Sequence, residues 1–311
     1  MLIEAAPMAG YTDVAFRRLL VECGARVVWT EMVSAAALFY GNKKTLGLLR
    51  TDGCLEAGEK LGFRVKQVVQ LFGKVPEHFV FALKSGLLDE FDEVNINMGC
   101  PAGKIVRNGE GCALMADFGL AESIIRACVL ATDKPVSVKF RLGVEEVDGL
   151  VAPAFAKMCE RAGAARVIIH GRYASQGYSG IADWRAIAEV VRAVGLPVIA
   201  NGDVVDLRSA EECLRVTGAA GVMMGRATLG APWAVGICGH ERRPLEGSSM
   251  GVKISVVLRH LEIAEECGVY FPELRKHLLF YANSFEGAKE LKLRVVKLGS
   301  YAEAKEVFCT Y

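Results

Sequence analysis

Short apolar stretches alternate with longer amphipathic ones from the start of the chain to about residue 224. Eight of the short stretches have the length and β-branched content of buried strands. These predicted strands are Leu2–Ala6, Val27–Thr30, Val68–Phe72, Val94–Asn97, Val136–Phe140, Val167–His170, Val198–Ala200 and Gly221–Met224. The periodicity between them predicts helices at Thr12–Cys23, Pro76–Gly86, Leu120–Thr132, Gly149–Ala162, Asp183–Val194 and Ser209–Thr217.

Eight strands that alternate with helices over about 230 residues predict an α/β fold, a (β/α)8 TIM-type barrel with parallel strands. A doubly wound open sheet is the alternative.

Two helix starts carry capping residues. Thr12 and Asp13 form a plausible N-cap, and Ser209 with Glu212 predicts a capping box.

The composition changes after the eighth strand. Gly239–Ser249 is rich in charged residues, Gly, Ser and Pro, and predicts a linker. Helical periodicity without strand character then returns at Lys253–Cys267, Glu273–Phe285 and Ala302–Phe308. We therefore expect a barrel domain at residues 1–240 and a small all-α domain at residues 250–311.

Charge and cysteine content narrow the functional classes. A formal net charge of +1 excludes the global basic character of many nucleic-acid binders, so such contacts need a local patch. One candidate patch has six basic residues against two acidic ones, a local charge of +4, although a solvated helix face is the alternative. It comprises Arg275, Lys276, Lys289, Lys292, Arg294 and Lys297 against Glu286 and Glu290.

The ten cysteines are scattered without a CxxC pair, which favours a reducing compartment. The first residues resemble neither a signal peptide nor a membrane span, since Glu4 and Pro7 interrupt them early. We expect a soluble, cytoplasmic protein.

Polar and reactive side chains follow the predicted strands at their carboxyl ends, where barrel enzymes build their active sites. Taken alone, Lys139 could be a strand-end lysine that reaches solvent and not an active-site residue. Taken alone, His170 could be a structural histidine. The strand ends are Pro7-Met8-Ala9-Gly10, Thr30-Glu31-Met32, Gln70, Asn97 with Cys100, Lys139 with Arg141, His170, Asn201-Gly202-Asp203 and Gly225-Arg226.

The last two strand ends predict a phosphate site. Asn201, Gly202 and Asp203 follow the seventh strand, and Gly225 with Arg226 follows the eighth. Loops in these two positions bind phosphate in many such barrels through backbone N–H groups. Glycine allows close approach of the backbone, and the arginine adds a charged, forked donor.

A phosphate at this place suits FMN. The amides of Gln70 and Asn97 can hydrogen-bond the polar edge of the isoalloxazine ring, and Lys139 can stabilise the reduced, anionic ring. His170 would serve the flavin edge or orient the substrate. The apolar segment Pro7-Met8-Ala9 would pack near the ring.

The chain resembles the tRNA-dihydrouridine synthases, a family of FMN-dependent enzymes of bacterial type. The combination of the Cys100 and Lys139 segments is the most specific part of this resemblance. The matching segments are Ala6–Asp13 with Phe16-Arg17, Thr30–Ser34, Gln70–Gly73, Asn95–Pro101, Val138–Gly143, His170–Arg172, Gln176–Trp184, Asn201–Asp203, Met224–Arg226, and Arg275–His277 with Tyr281.

The resemblance implies that NADPH reduces FMN, which passes a hydride to C6 of a uracil ring while Cys100 donates a proton to C5. It implies that Asn97, Arg141 and Arg172 bind the substrate. It also gives the basic patch a purpose, since Lys289, Lys292 and Arg294 would bind tRNA phosphates. The remaining strand-end residues would hold FMN: Pro7, Met8, Ala9, Gln70, Asn97, Lys139, His170, Asn201, Gly202, Asp203, Gly225 and Arg226.

We expect a monomer that binds tRNA and NADPH and uses neither a metal nor a membrane. Three other functions stay open. An FMN barrel that reduces a small pyrimidine, such as a dihydroorotate enzyme, would need no basic helical domain. A Schiff-base aldolase with Lys139 as nucleophile would leave Cys100 and the phosphate loops without a joint purpose. A non-catalytic tRNA-binding protein would have no use for the thiol and the lysine.

Overall fold

Eight parallel strands form one sheet in the order β1-β8-β7-β6-β5-β4-β3-β2. The computed structural model describes residues 1–236 and 249–310. The strands are β1 (Ile3–Ala5), β2 (Val27–Ser34), β3 (Lys66–Phe72), β4 (Glu93–Met98), β5 (Val136–Arg141), β6 (Arg166–His170), β7 (Val198–Asn201) and β8 (Gly221–Met224). This is the near-closed barrel that the alternation of strands and helices predicts, and the prediction of the fold class is confirmed.

Helices connect the strands and continue after the barrel. In the barrel they are α1 (Val14–Glu22), α2 (Ala35–Phe39), α3 (Lys43–Leu46), α4 (Cys54–Lys60), α5 (Pro76–Lys84), α6 (Gly103–Arg107), α7 (Phe118–Ala131), α8 (Ala152–Arg161), α9 (Trp184–Ala193) and α10 (Leu207–Thr217). After residue 249 they are α11 (Met250–Glu266), α12 (Phe271–Tyr281), α13 (Ala288–Val295) and α14 (Tyr301–Cys309). None of the helices in the described ranges is long and apolar enough to cross a membrane.

Each strand presents one face to the helices and the other to the barrel interior. In β4 the residues Val94, Ile96 and Met98 belong to the main core between strands and helices. The alternate residues of the strands face inward, where a smaller apolar cluster lies. That cluster consists of Ala6, Val27, Trp29, Val68, Ile168, Ile199 and Met223.

Several predicted boundaries need correction. β2 does not end at Thr30 but runs on to Ser34, with a register shift against β3 between Trp29 and Met32. Asp13 caps α1 as predicted, because its carboxylate accepts a hydrogen bond from the Phe16 N–H.

The capping box predicted from Ser209 and Glu212 is wrong by one turn. Asp206 is the N-cap of α10, and Ser209 occupies the third helical position of that box. The sequence analysis also missed α13, the helix that carries Lys289, Lys292 and Arg294. The linker predicted at Gly239–Ser249 lies outside the described residues, except for Ser249.

The helices after residue 249 pack against α1 and the loop before it. The ring centroids of Phe16 and His277 are 4.6 Å apart, and those of Tyr11 and Phe280 are 5.8 Å apart. Arg259 of α11 forms an ion pair with Glu22 of α1 at 2.7 Å. These contacts bring the helical region beside the carboxyl end of β1.

Candidate active site

A cavity of ≈ 680 Å³ lies at the carboxyl ends of the strands, within the range of small-molecule and cofactor sites. Every residue predicted to act in catalysis or to hold the cofactor lines it, and so do Arg141 and Arg172. Lys289, Lys292 and Arg294 do not line it, since they lie on α13. The candidate residues that follow separate strands in the sequence therefore lie around one cavity, as expected for parallel strands in a barrel.

Hydrogen bonds from the preceding strand hold the turn that carries Cys100. The Oδ1 atom of Asn97 accepts from the N–H of Gly99 at 3.1 Å and from the N–H of Cys100 at 2.9 Å. A Cβ atom at Gly111 would lie 2.6 Å from the Cys100 carbonyl oxygen, and that residue has φ +61°. Only glycine suits this position. Gly111 therefore allows the backbone that follows it to pack directly against the Cys100 carbonyl.

A chain of hydrogen bonds in the barrel interior fixes the orientation of the Asn97 amide. Its Nδ2 atom donates to Gln70 Oε1 at 2.9 Å, and Gln70 Nε2 donates to Asn95 Oδ1 at 2.8 Å. Asn95 Nδ2 donates to Ser137 Oγ at 2.9 Å, and the Ser137 hydroxyl donates to the Glu93 carboxylate. Because a carboxylate only accepts, Glu93 sets the direction of every bond up to the Cys100 turn.

The carboxylate at the base of this chain is itself held by cations. Arg166 forms ion pairs with Glu93 at 2.9 Å and with Glu4, and Lys66 pairs with Glu93. Trp29 Nε1 donates to Glu4 at 3.0 Å. The interior opposite the cavity is therefore a charged layer that is paired throughout, which is the condition for burying such groups.

Lys139 reaches into the cavity beside Asn201. Its Nζ atom donates to Asn201 Oδ1 at 3.0 Å, and Asn201 Nδ2 donates to the Met223 carbonyl at 2.9 Å. Burial, with a contribution from the nearby Arg141 charge, lowers the pKa of Lys139 to about 7. Burial also lowers the pKa of His170 to about 2, helped by the charges of Lys139 and Arg141, so His170 is neutral.

Asp203 joins the two glycine-containing loops. Its carboxylate accepts from Arg172 Nη2 at 2.7 Å and from the N–H of Ala182 at 2.7 Å, and Arg226 lies 3.4 Å away. The hydrogen bonds and charges of the arginines hold the pKa of Asp203 below its ordinary value, against the opposing effect of burial, which is the largest single contribution. Among described residues other than glycine, Asp203 alone has a positive φ, of 55°.

The adjoining Gly202 is also required by its surroundings. Its φ is +120°, and a Cβ atom there would lie 2.7 Å from the Cβ of Ala182 and 3.0 Å from Cδ2 of His170. The 3-10 turn Arg226–Thr228 begins directly after Gly225, so its first N–H groups have no acceptor within the turn. The anion site at these two loops stays a prediction.

The two buried arginines of the cavity wall mainly contact the protein. Arg141 donates through Nε to the Gly99 carbonyl at 3.0 Å and through Nη1 to the carbonyls of Tyr173 and Gly177. Within the described ranges its Nη2 atom has no hydrogen-bond partner in the protein. All three nitrogens of Arg172 contact protein groups, which include His170 Nε2 at 3.3 Å.

Sequence reasoning missed several cavity residues and the lower half of the hydrogen-bond chain. Among the missed cavity residues are Tyr11, Tyr178 and Phe280. The Tyr178 ring, 62% exposed, lies under the guanidinium of Arg226 at 4.7 Å and near that of Arg141 at 5.9 Å. The sequence signal for Tyr178 was its position in the matched segment Gln176–Trp184.

Across residues 1–236 and 249–310, no three His, Cys, Asp or Glu side chains are placed to hold a metal ion.

The fold and the site define a class, a (β/α)8 barrel with a small-molecule cavity at its mouth. Two solved structures share this fold. Histamine dehydrogenase from Rhizobium sp. 4-9 aligns with a TM-score of 0.59 and 12% identity, over 84% of this chain and 48% of that one. An old yellow enzyme homologue from Zymomonas mobilis aligns with a TM-score of 0.54 and 12% identity, over 74% of this chain and 86% of that one.

Sequence comparison gives the family. The dihydrouridine synthase (Dus) family model matches residues 4–309. "Probable tRNA-dihydrouridine synthase 1" of Synechocystis sp. is 35% identical over 97% of this chain and 84% of its own length. "tRNA-dihydrouridine synthase B" of Xanthomonas campestris is 36% identical over 89% of this chain and 82% of its own length. The chain belongs to the dihydrouridine synthase family.

Proposed function

We propose that this protein is an oxidoreductase that reduces uridines in tRNA to 5,6-dihydrouridine, with bound FMN and with NADPH as electron donor. One observation carries the proposal: the Cys100 turn, Lys139 and both glycine-containing loops border the same cavity. The family match and the names of the relatives support the same substrate class. A small-pyrimidine reductase would share the cavity but not the basic helix α13.

The residues of the cavity fit FMN. Lys139 is a partly buried amine with an amide as its hydrogen-bond partner, so an anionic ring edge would supply the opposite charge that it lacks. Gly202 and the turn after Gly225 leave backbone N–H groups at the place predicted for the phosphate. Arg226, whose side chain is half exposed, would add a charged donor. Met8 and its neighbours Pro7 and Ala9 supply an apolar wall.

The bound cofactor, once reduced, would supply a hydride to C6 of the uracil ring. Cys100 then donates its thiol proton to C5, which saturates the double bond, and solvent returns a proton to the sulfur. The fixed turn around Asn97 places the thiol without a conformational search. Because His170 is neutral, it acts as a hydrogen-bonding group rather than as a cation.

The substrate would contact Asn97 and Arg141. The Nη2 group of Arg141 faces no protein acceptor among the described residues, so it can donate to a uracil oxygen, where charge grows as hydride arrives. Arg172 is predicted to bind substrate as well, but its nitrogens already contact Asp203, His170 and two carbonyls. We therefore propose that Arg172 acts on the substrate by holding His170 and Asp203 in place.

Residues 1–240 would form the catalytic, FMN-binding barrel and residues 250–311 the helical tRNA-binding domain. Lys289 and Arg294 are exposed on α13, and Lys292 is partly exposed, so their charges are available to phosphates. We further propose a cytoplasmic monomer.

The test uses purified protein and an unmodified tRNA transcript. We expect a flavin spectrum in the purified protein and dihydrouridine in the transcript after incubation with NADPH, measured by mass spectrometry of the nucleosides. Parallel reactions with free orotate and free uracil distinguish the small-pyrimidine alternative. A protein that binds no FMN, or that reduces only the free pyrimidines, would contradict the proposal.

A further inference from the structure

Three large aromatic side chains lie together on the surface of the barrel. Phe39, Tyr40 and Phe81 are 41%, 76% and 40% exposed. The ring centroid of Phe39 is 5.1 Å from that of Tyr40, 5.2 Å from that of Phe81 and 4.6 Å from that of His78. Single exposed apolar residues are ordinary, but a contiguous group marks an interaction site. We call these four residues the aromatic cluster.

The aromatic cluster lies on the cavity side of the barrel. α2 follows the end of β2 at Ser34 without a break, and Tyr40 is its C-cap. α5 begins four residues after the end of β3, and His78 lies in its first turn. Both elements therefore leave the same end of the barrel that Gln70 and Asn97 reach.

Two exposed lysines follow Tyr40 of the aromatic cluster closely in the chain. Lys43 and Lys44 begin α3, directly after Tyr40-Gly41-Asn42, and both are exposed. Within the described part of the chain neither lysine forms an ion pair or a hydrogen bond through its side chain. Several other surface cations are paired, among them Arg18 with Glu266 at 2.8 Å and Arg259 with Glu22 at 2.7 Å. The exposed lysines are therefore free to bind an anionic partner from outside the chain.

We propose that the aromatic cluster with Lys43 and Lys44 is a second tRNA-contact surface, on the barrel itself, which takes nucleotides near the reduced uridine. The inference rests on the proposed function. A uridine that enters the cavity must leave its stack, and its neighbours then lose a stacking partner. Exposed rings replace that partner and are indifferent to base identity, while adjacent lysines hold the phosphates.

Rings flanked by unpaired lysines suit nucleic acid better than a protein partner. A second copy of this chain would bring the same lysines together and would have to bury like charges. Unstacked bases joined by phosphates match both halves of the surface at once. The two halves can be tested separately, because they contribute to affinity by different physical effects.

The experiment compares two double variants with matched controls. Phe39→Ala/Tyr40→Ala removes the rings, with Leu130→Ala as control, since Leu130 is 87% exposed on α7. Lys43→Ala/Lys44→Ala removes the charges, with Lys157→Ala on α8 as control. The dissociation constant for an unmodified tRNA transcript is measured at several salt concentrations. Flavin content and molar mass in solution are measured on the same samples.

We expect the ring variant to bind the transcript at least about tenfold more weakly, with its salt dependence unchanged. The lysine variant should lose between one and two units of the slope of log affinity against log salt. Because Lys43 and Lys44 are exposed, this variant stays informative even if the ring variant fails to fold.

The inference would be overturned if the lysine variant kept both its affinity for the transcript and its slope of log affinity against log salt, and any folded ring variant kept full affinity. So would a smaller molar mass in the ring variant with unchanged tRNA affinity, since the rings would then join two copies of the chain. A protein that binds tRNA through this surface but forms no dihydrouridine would contradict the proposed function instead.

Discussion

At the scale of single residues, the Cys100 turn depends on hydrogen bonds that begin at a carboxylate deep in the barrel. Asn97 has the orientation that the turn requires because Glu93, through Ser137, Asn95 and Gln70, leaves no other arrangement of donors and acceptors.

Ser137→Ala tests this dependence. The change leaves the buried Asn95 Nδ2 group without its acceptor, so we expect a loss of about 1–3 kcal/mol in the free energy of unfolding. A loosened amide chain should also slow dihydrouridine formation by about ten- to a hundredfold. Urea unfolding and steady-state rates measure the two effects. Ser123→Ala, at an exposed serine on α7, is the control, and equal effects in both variants would contradict the account.

Lys139 gives a prediction about pH. Its pKa is about 7 in the folded protein, because of burial, against an ordinary lysine value of 10.5. Between pH 7 and 10.5 the unfolded chain binds a proton that the folded protein does not, so Lys139 makes folding less favourable as pH falls through this range. Lys139→Met should therefore stabilise flavin-free protein at pH 7 by up to a few kcal/mol and make no difference near pH 11.

Urea unfolding of the Lys139→Met variant and the unmutated protein across this range measures the difference. The variant should also bind FMN more weakly, which a flavin titration detects. A constant difference in stability from pH 7 to pH 11 would contradict a lysine whose pKa is lowered in the folded protein.

The sequence predicted which polar strand-end residues line the cavity, but not their hydrogen-bond partners. An alternation of apolar and polar residues in Val94–Asn97 normally indicates a strand with one solvent-exposed face. In this barrel the polar face points inward, so Asn95 becomes a buried link in a chain rather than a surface residue. Its partner Ser137 is 42 residues away, and only the register of β4 and β5 brings the two together.

At the scale of elements, α11 and α12 meet α1 through buried histidines. His260 and His277 are fully buried, and their ring centroids are 4.8 Å apart. Burial lowers the pKa of His260 to about 3. Burial holds the pKa of His277 well below its ordinary value, and the nearby Lys276 charge adds to this effect. Both histidines are therefore neutral where the helical region packs on Phe16.

This packing predicts an acid-sensitive junction. As pH falls below 6.5, these histidines bind protons in the unfolded chain but not in the folded protein. The free energy of unfolding therefore decreases as pH falls. His260, whose pKa is about 3 in the folded protein, should cost about 2 kcal/mol of stability between pH 7 and pH 5, and His277 should add a loss of the same sign. His277→Leu should remove the part of this loss in unfolding free energy that His277 causes. Urea unfolding at pH 7 and pH 5 measures the loss for each variant. His78→Leu, at a partly exposed histidine, is the control, and the same acid sensitivity in both variants would contradict this view.

Element boundaries depended on interactions that a sequence window does not contain. β2 extends to Ser34 because it continues to pair with β3 after its register shift, so the strand does not stop at Thr30. α10 begins at Leu207 because Asp206 caps it. α13 was missed because it is eight residues long and buries only Leu291 and Val295, too few apolar residues to produce a periodic pattern.

At the scale of the whole molecule, the proposed function uses both the barrel and the helical region. The cavity would hold cofactor and base, and α13 would hold phosphates. Charge reversal at Lys289, Lys292 and Arg294 should therefore weaken binding of a tRNA transcript by about a hundredfold or more at moderate salt. NADPH oxidation should persist. Equal loss of both would indicate misfolding, and full tRNA affinity would exclude α13 from the interface.

The central claim is that Cys100 supplies the proton that completes uridine reduction, and a single-turnover measurement tests it directly. Protein is reduced anaerobically with NADPH, unmodified tRNA is added, and reoxidation of the bound flavin is followed together with dihydrouridine formation. Cys100→Ala should retain flavin and tRNA binding but lose reoxidation by tRNA at least about a hundredfold. Cys309→Ala, at an exposed thiol, should match the unmutated protein. Reoxidation of Cys100→Ala at the unmutated rate would contradict the account.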